Sequence, residues 1–322
     1  MSAFRRRKGN LPRLAPELDD MVLGQVRRRL EMSWARGELD TSVIALMEKV
    51  ILDAGQDWDR KAHRLGVLAQ AAGRALPGIW RRQSPQDPGA LLLHAWSEVA
   101  HTRAQGTHVD LSGIRETCLR AAELTPADPT PWIVLLAAMR WEREPYGEVG
   151  PVWREVKARD PWNREAHLQA LGYLSPDECG STGQVLDLLD GIRSVMPATA
   201  PTVGLEVTAF VHGYHRAVSA GGMAALNARD YWRRPDAASA LSRAARDWPL
   251  PGFLGHAAAL ADLNVLAYAL VKAALMDEAA VVLRATDGMA TSWPWSAEGD
   301  PLERFSHWHG AISRARPATS RQ

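Results

Sequence analysis

The spacing of its apolar residues leaves this chain one class of fold. Val149, Val152, Trp153 and Val156 fall at i, i+3, i+4 and i+7, and Val185, Leu188, Leu189 and Ile192 repeat that spacing. At about 3.6 residues per turn such positions share one helix face, so each segment carries an apolar stripe that another element must cover. The spacing predicts helices over 147–159 and 183–196. Similar patterning and helix-start residues predict others over 57–75, 88–105, 112–125, 130–142, 204–220, 236–247 and 300–314, and a pair within 255–285 broken near Met276. Ser112 is the expected cap of its helix, and Pro88 and Pro131 stand early in theirs, where a missing N–H costs nothing. No β-branched run alternates with polar residues, so the expected class is all-α.

A repeat shows around the prolines. Arg120-Ala121-Ala122-Glu123-Leu124-Thr125-Pro126-Ala127-Asp128-Pro129-Thr130-Pro131-Trp132 and Val156-Lys157-Ala158-Arg159-Asp160-Pro161-Trp162-Asn163-Arg164-Glu165-Ala166 each end one amphipathic helix, pass a proline and open another. Pro126 and Pro161 are 35 residues apart, close to the tetratricopeptide period of about 34. These blocks resemble tetratricopeptide repeats. One helix pair cannot bury its own apolar face, so neighbours must stack. The expected architecture is an irregular α-solenoid of antiparallel helix pairs over 16–314, most legible at 112–174. A basic arm at 1–15, containing Arg5-Arg6-Arg7-Lys8, and a tail at 315–322 are expected to be loose.

A wider resemblance rests on Asp57-Trp58-Asp59, on Leu124 to Trp132, and on Leu174-Ser175-Pro176 followed by Gly180-Ser181. At the far end it rests on Thr291-Ser292-Trp293-Pro294-Trp295, Gly299-Asp300-Pro301 and Phe305. In that order these motifs resemble the DUF4034 family of bacterial helical proteins over roughly 55–316. The chain departs from the family pattern at Asp177-Glu178-Cys179-Gly180-Ser181, where an aromatic or basic residue ahead of Gly-Gly-Ser is expected. The resemblance implies a helical fold and brings no activity with it.

Composition narrows the function by exclusion. A net charge of +1 from 38 basic and 37 acidic residues gives no general pull toward nucleic acid or anionic membrane. No stretch approaches the ~18 consecutive apolar residues of a membrane span, no signal-peptide core follows the basic start, and the cytoplasm is the expected compartment. Cys118 and Cys179 stand 61 residues apart with no CxxC, which argues against a disulfide framework or zinc knuckle. Thirteen tryptophans against four phenylalanines read chiefly as rings wedged between helices, whose indole N–H needs a partner when buried.

Motifs of familiar chemistry are missing. There is no GxSxG, no GxxxxGK[ST], and no GxGxxG after a strand. Asp57/Asp59, Glu142/Glu144 and Asp187/Asp190 read as helix-start and solvated acids. No catalytic residue, cofactor or metal is therefore assigned. Cys118 lies on an apolar stripe and is expected to be an inert core thiol. Two stretches combine arginine with aromatics, the mixture enriched at protein interfaces: Arg229, Tyr231, Trp232, Arg233 and Arg234, and the smaller Trp80, Arg81 and Arg82. Their ordinary alternative is rings packed inward with arginines facing water. His212 and His215, at i and i+3 with Glu206 upstream, form the alternative site of a helical enzyme or biosynthetic accessory. His307 and His309 diverge by about 200°. The favoured reading is a non-enzymatic scaffold or regulatory adaptor that binds a protein or peptide partner in a helical groove.

Overall fold

The computed structural model describes residues 11–223 and 228–314. Fifteen α-helices and one two-stranded sheet make up the regular structure among them. The protein is all-α. The basic arm at Arg5 to Lys8 and the tail at 315–322 lie outside the described residues.

The chain divides into two compact units. One holds residues 20–205 with 256–258 and contains α1 (Met21–Ala35), α2 (Val43–Leu52), α3 (Trp58–Ala72), α4 (Ala75–Gln83) and α5 (Pro88–Gln105). It continues with α6 (Leu111–Leu124), α7 (Thr130–Trp141), α8 (Tyr146–Arg159), α9 (Arg164–Tyr173) and α10 (Thr182–Arg193). Helices pack on their successors and on the next but one: α3 on α5, α5 on α6 and α7, α7 on α8 and α9. α3 also meets α7 and α9, contacts that a strictly nearest-neighbour array does not make.

Three turns in this unit are built alike. Ser84, Thr125 and Asp160 end α4, α6 and α8 at φ/ψ of −133°/68°, −136°/74° and −146°/87°. Each precedes a proline, which disfavours the helical conformation in the residue before it. Each donates its N–H four residues back, to Trp80, Ala121 and Val156, at 2.8, 3.0 and 2.9 Å. Three residues on, the N–H of Asp87, Asp128 or Asn163 closes the turn at 3.1, 3.0 or 3.3 Å. The side chain of that same residue then accepts from the start of the next helix. Asp87 accepts from Ala90 N–H at 2.7 Å, Asn163 from Ala166 N–H at 3.1 Å, and Asp128 from Thr130 N–H at 2.8 Å. The turn at Pro85 is a third unit beyond the two legible by period. A 34-residue scan passes over it because α5 runs 18 residues where α7 and α9 run 12 and 10.

Polar contacts secure the unit where apolar packing stops. Arg64, buried, donates to Val50 O at 2.6 Å and to Asp20 at 2.7 Å. Burial pushes the Asp20 carboxyl up, but Arg64 and the Leu23 N–H that it caps outweigh this and hold it below the usual range. Asp128, fully buried, takes Lys61 of α3 at 2.5 Å. Two indoles act as staples, Trp34 to Ala71 O at 3.0 Å and Trp141 to Thr107 O at 2.8 Å.

The other unit takes its described residues from 11–19, 206–255 and 259–314. It contains nearly all of α11 (Leu205–Ser219), then α12 (Pro235–Asp247), α13 (Ala259–Lys272), α14 (Met276–Ala285) and α15 (Pro301–Arg314). α13 packs on α12 and α14, and α14 on α15. Within the segment read as a loose arm, β1 (Arg13–Leu14) pairs in parallel with β2 (Met289–Ala290). Ala15 donates to Ala290 O at 2.9 Å and is fully buried, so Arg13 to Ala15 of that segment are ordered.

Several helix boundaries shift from expectation for local reasons. Asp110, not Ser112, caps α6 by accepting from Gly113 N–H at 3.1 Å. The helix expected to reach Ala75 stops at Gly73, whose φ of 60° suits glycine, and α4 starts afresh. Met276 opens α14, as the expected break implies.

Candidate functional site

Two cavities on the helix-pair unit differ in the residues that line them: rings and aliphatic side chains with Gln184 and Asp187 in one, arginines with His94 and Glu116 in the other. The first lies among α7, α8, α9 and α10, with a volume of 310 Å³. Leu136, Tyr146, Val149, Trp153, Tyr173 and Leu188 supply its walls. The stripe that drives α8 to fold supplies Val149 and Trp153, and the matching stripe of α10 supplies Leu188. Tyr146, 65% exposed at the first turn of α8, stands at its edge. The Tyr173 hydroxyl donates to Glu144 O at 2.7 Å, which anchors that ring from behind.

The second cavity lies among α4, α5 and α6 and measures 410 Å³. Arg81 and Arg82 come from the last turn of α4, His94 from α5, Thr117 and Arg120 from α6. A neighbouring cavity of 290 Å³ shares Arg81, His94 and Thr117 and adds Arg74 and Glu98. Arg74 grips both Glu98 oxygens at 2.9 and 2.6 Å, and Arg120 is held by Glu123 at 2.8 Å and by Gln86. Among the described residues the Arg81 and Arg82 side chains have no hydrogen-bond or ion-pair partner. His94 Nδ1 is buried and unbonded, its nearest Glu98 oxygen 4.0 Å away. Burial lowers the His94 pKa, and the charge of Arg81, with smaller help from Arg74 and Arg82, lowers it further against the pull of Glu98. Trp80, beside these arginines in sequence, is an interior ring 2% exposed.

The second unit joins the remaining candidates in one chain of rings. Tyr214 meets Tyr231 and Trp232 at centroid distances of 5.9 and 5.4 Å. Next to it, His215 packs edge-on against Tyr268 and Trp293 at 5.2 and 6.3 Å, and His212 stacks on Trp293 at 4.9 Å. The two histidines share a face, as their spacing implies, but an indole lies against both. Glu206 is turned to Arg243 at 3.0 Å, so the three residues of the alternative site do not converge. Gly213 makes the arrangement possible, since a Cβ there would collide with the Tyr231 hydroxyl. A hydrogen-bonded row continues inward. Tyr268 donates to Glu298 at 2.6 Å, its oxygen lies 2.9 Å from His215 Nε2, and Lys272 donates to Glu298 at 2.7 Å. Burial lowers the His215 pKa, and it raises the Tyr268 phenol far above its ordinary value with help from Glu298.

The arginine-aromatic stretch 229–234 is arranged in the ordinary way. Trp232 is interior at 4% exposure. Arg233 pairs with Asp230 at 2.9 Å, and Arg234 pairs with Asp236 at 2.7 Å while covering the Tyr231 ring. The Arg229 side chain lies outside the described residues. His307 packs on Trp308 and His309 on Phe305, divergent as expected.

The chain matches no family model, no curated protein and no solved structure. Chemistry at the sites therefore rests on the residues themselves. Among the described residues, no group of three or more His, Cys, Asp or Glu side chains gathers as a metal would need. Cys118 is fully buried, and burial pushes its thiol up to about 12, far from a reactive thiolate. No helix among the described residues is long and apolar enough to cross a membrane.

Sequence reasoning found Arg81 and Arg82 but not His94, Thr117 or Arg120, which join them only through packing of α5 and α6. It also missed the apolar cavity. The stripes that line it were visible, but stripes that close on each other and stripes that leave a gap look the same in sequence.

Proposed function

We propose that the chain is a non-enzymatic adaptor that holds a peptide segment of a protein partner against its helix-pair unit. One observation carries the reading: the 310 Å³ cavity among α7 to α10, walled mostly by aliphatic and aromatic side chains, with Gln184 and Asp187 beside them, and edged by the exposed Tyr146. A cavity of this size takes one bulky apolar side chain, and tyrosine and tryptophan give large contact area with little rotamer entropy to lose. Stacked helix pairs with equivalent turns, close to a tetratricopeptide period, support a scaffold of that general kind. The apolar lining favours a peptide over nucleic acid.

The test is a photo-crosslinking amino acid placed at Tyr146 and, as a control, at the exposed Lys49 of α2. A polypeptide captured from native cells at Tyr146 but not at Lys49, and lost on Leu188→Asp, is the expected outcome. Equal capture at both positions, or capture indifferent to Leu188→Asp, would refute the groove.

A second reading, a helical enzyme or pathway accessory near His212 and His215, is favoured by the row from His215 through Tyr268 to Glu298 and Lys272. It requires turnover of some small molecule by the purified protein that is lost in His215→Gln while helicity stays unchanged. Turnover surviving that substitution removes the row from the chemistry.

A further inference from the structure

The cavity among α4, α5 and α6 carries more positive charge than it balances, with Arg81, Arg82 and Arg120 against Glu116 in its lining. Arg81, half-buried, and Arg82, exposed, face it unpaired, whereas Arg74 and Arg120 at its margins each have partners. Among the described residues neither guanidinium meets a carboxylate or a carbonyl of the chain, so on this concave wall both are free to give up water for an anion from outside.

Geometry narrows the anion. Donors approach from three helices: Arg81 and Arg82 on α4, His94 on α5, Arg120 on α6. A carboxylate is planar, carries one charge and is matched bidentately by a single guanidinium fork. A phosphoryl monoester is tetrahedral, carries about −1.5 to −2 charges near neutral pH and offers three acceptor oxygens in different directions. Two unpaired arginines match that charge, and spread donors match that shape. The volume of 410 Å³ exceeds what inorganic phosphate fills, which leaves room for the group that bears it.

We propose that this cavity binds a phosphoryl monoester, with Arg81 and Arg82 as its charge partners and His94 as a third donor. The bearer is a phosphorylated side chain, which rests on the peptide-adaptor reading; the phosphoryl site itself does not. A bound dianion also answers the buried His94 Nδ1. Facing His94 are Arg74, Arg81 and Arg82 of the α4 segment and Glu98 of α5, with Glu116 and Arg120 of α6 across the cavity. A dianion among these groups reverses the electrostatic push of the arginines, so His94 takes up a proton more readily and becomes a donor on both ring nitrogens.

The experiment titrates the full chain with inorganic phosphate, O-phosphoserine, glutamate and a phosphoserine peptide by calorimetry, while NMR follows the His94 ring. Saturable binding of O-phosphoserine, at least tenfold weaker in Arg81→Ala/Arg82→Ala and unchanged in Arg154→Ala, is expected, with the His94 midpoint rising on binding. Circular dichroism of the double variant shows whether its fold is intact, and Arg81→Lys/Arg82→Lys, which keeps the charge, recovers part of the affinity. Glutamate binding as tight as O-phosphoserine, binding indifferent to the arginine pair, or no saturable binding overturns the proposal. If the phosphopeptide gains nothing over O-phosphoserine, the site is that of a free phosphorylated small molecule and the peptide bearer falls. Crosslinking at Tyr146 is unaffected by any of these results and judges the adaptor reading separately.

Discussion

The helix-pair unit and the aromatic unit are both helical, yet they achieve order differently. In the first, the same turn recurs at Ser84, Thr125 and Asp160, and the core between is mainly aliphatic around Trp80 and Trp96: Leu65, Leu68, Leu92, Leu93, Ile133 and Leu136 are all at most 1% exposed. In the second, order runs along rings. Trp295 is almost fully buried between Tyr268 and Phe305, at centroid distances of 5.3 and 5.6 Å, and donates to Asn264 at 3.0 Å. A repeated turn spreads stabilisation over equivalent small contributions, whereas a ring network concentrates it in a few large side chains.

The severest trial of this contrast is Trp295→Ala. Removing a buried indole together with its hydrogen bond should cost about 3–5 kcal/mol, read by urea denaturation. A loss below about 1 kcal/mol, the centre of the range for point substitutions in general, would mean that the rings are not what holds this unit. Gly213→Ala is next. Despite the better helix propensity of alanine, its methyl meets the Tyr231 hydroxyl, and overpacking of this kind costs about 1–3 kcal/mol. Adding Tyr231→Phe should recover most of it; a double variant no better than the single one would locate the strain elsewhere.

The smallest expected effects concern the repeat. Asp87→Ala and Asn163→Ala remove the same kind of cap from equivalent turns, so each should cost about 1 kcal/mol. Thermal unfolding of the two variants should shift by similar amounts. A large loss at one and none at the other would show that the turns are alike in shape only.

Much of the architecture was legible in the sequence for a definite reason. Periodicity, prolines and caps act within one or two turns of chain, so helices such as α5, α7 and α8 are encoded where they stand, and so is the class all-α. α1, α2 and α4 are not among the expected helices, although two of them carry readable stripes: Leu23, Val26, Leu30 and Ser33 of α1, and Val43, Ile44, Met47, Val50 and Ile51 of α2, are buried at helical spacing. The third repeat turn escapes because a longer α5 breaks the period.

What a residue faces was decided only by packing. Trp80 and Arg81 are adjacent in sequence, yet one is core and the other lines a cavity, because successive helical residues point about 100° apart and α5 and α6 cover one direction only. Trp232 and His215 are 17 residues apart, and Tyr214 bridges them into one ring chain that no spacing rule could join. Helices and proline turns are written into the chain itself, since they depend on neighbours along it. Which arginines lack a partner, and where a groove stays open, emerge only on folding, since they depend on what comes near from far away.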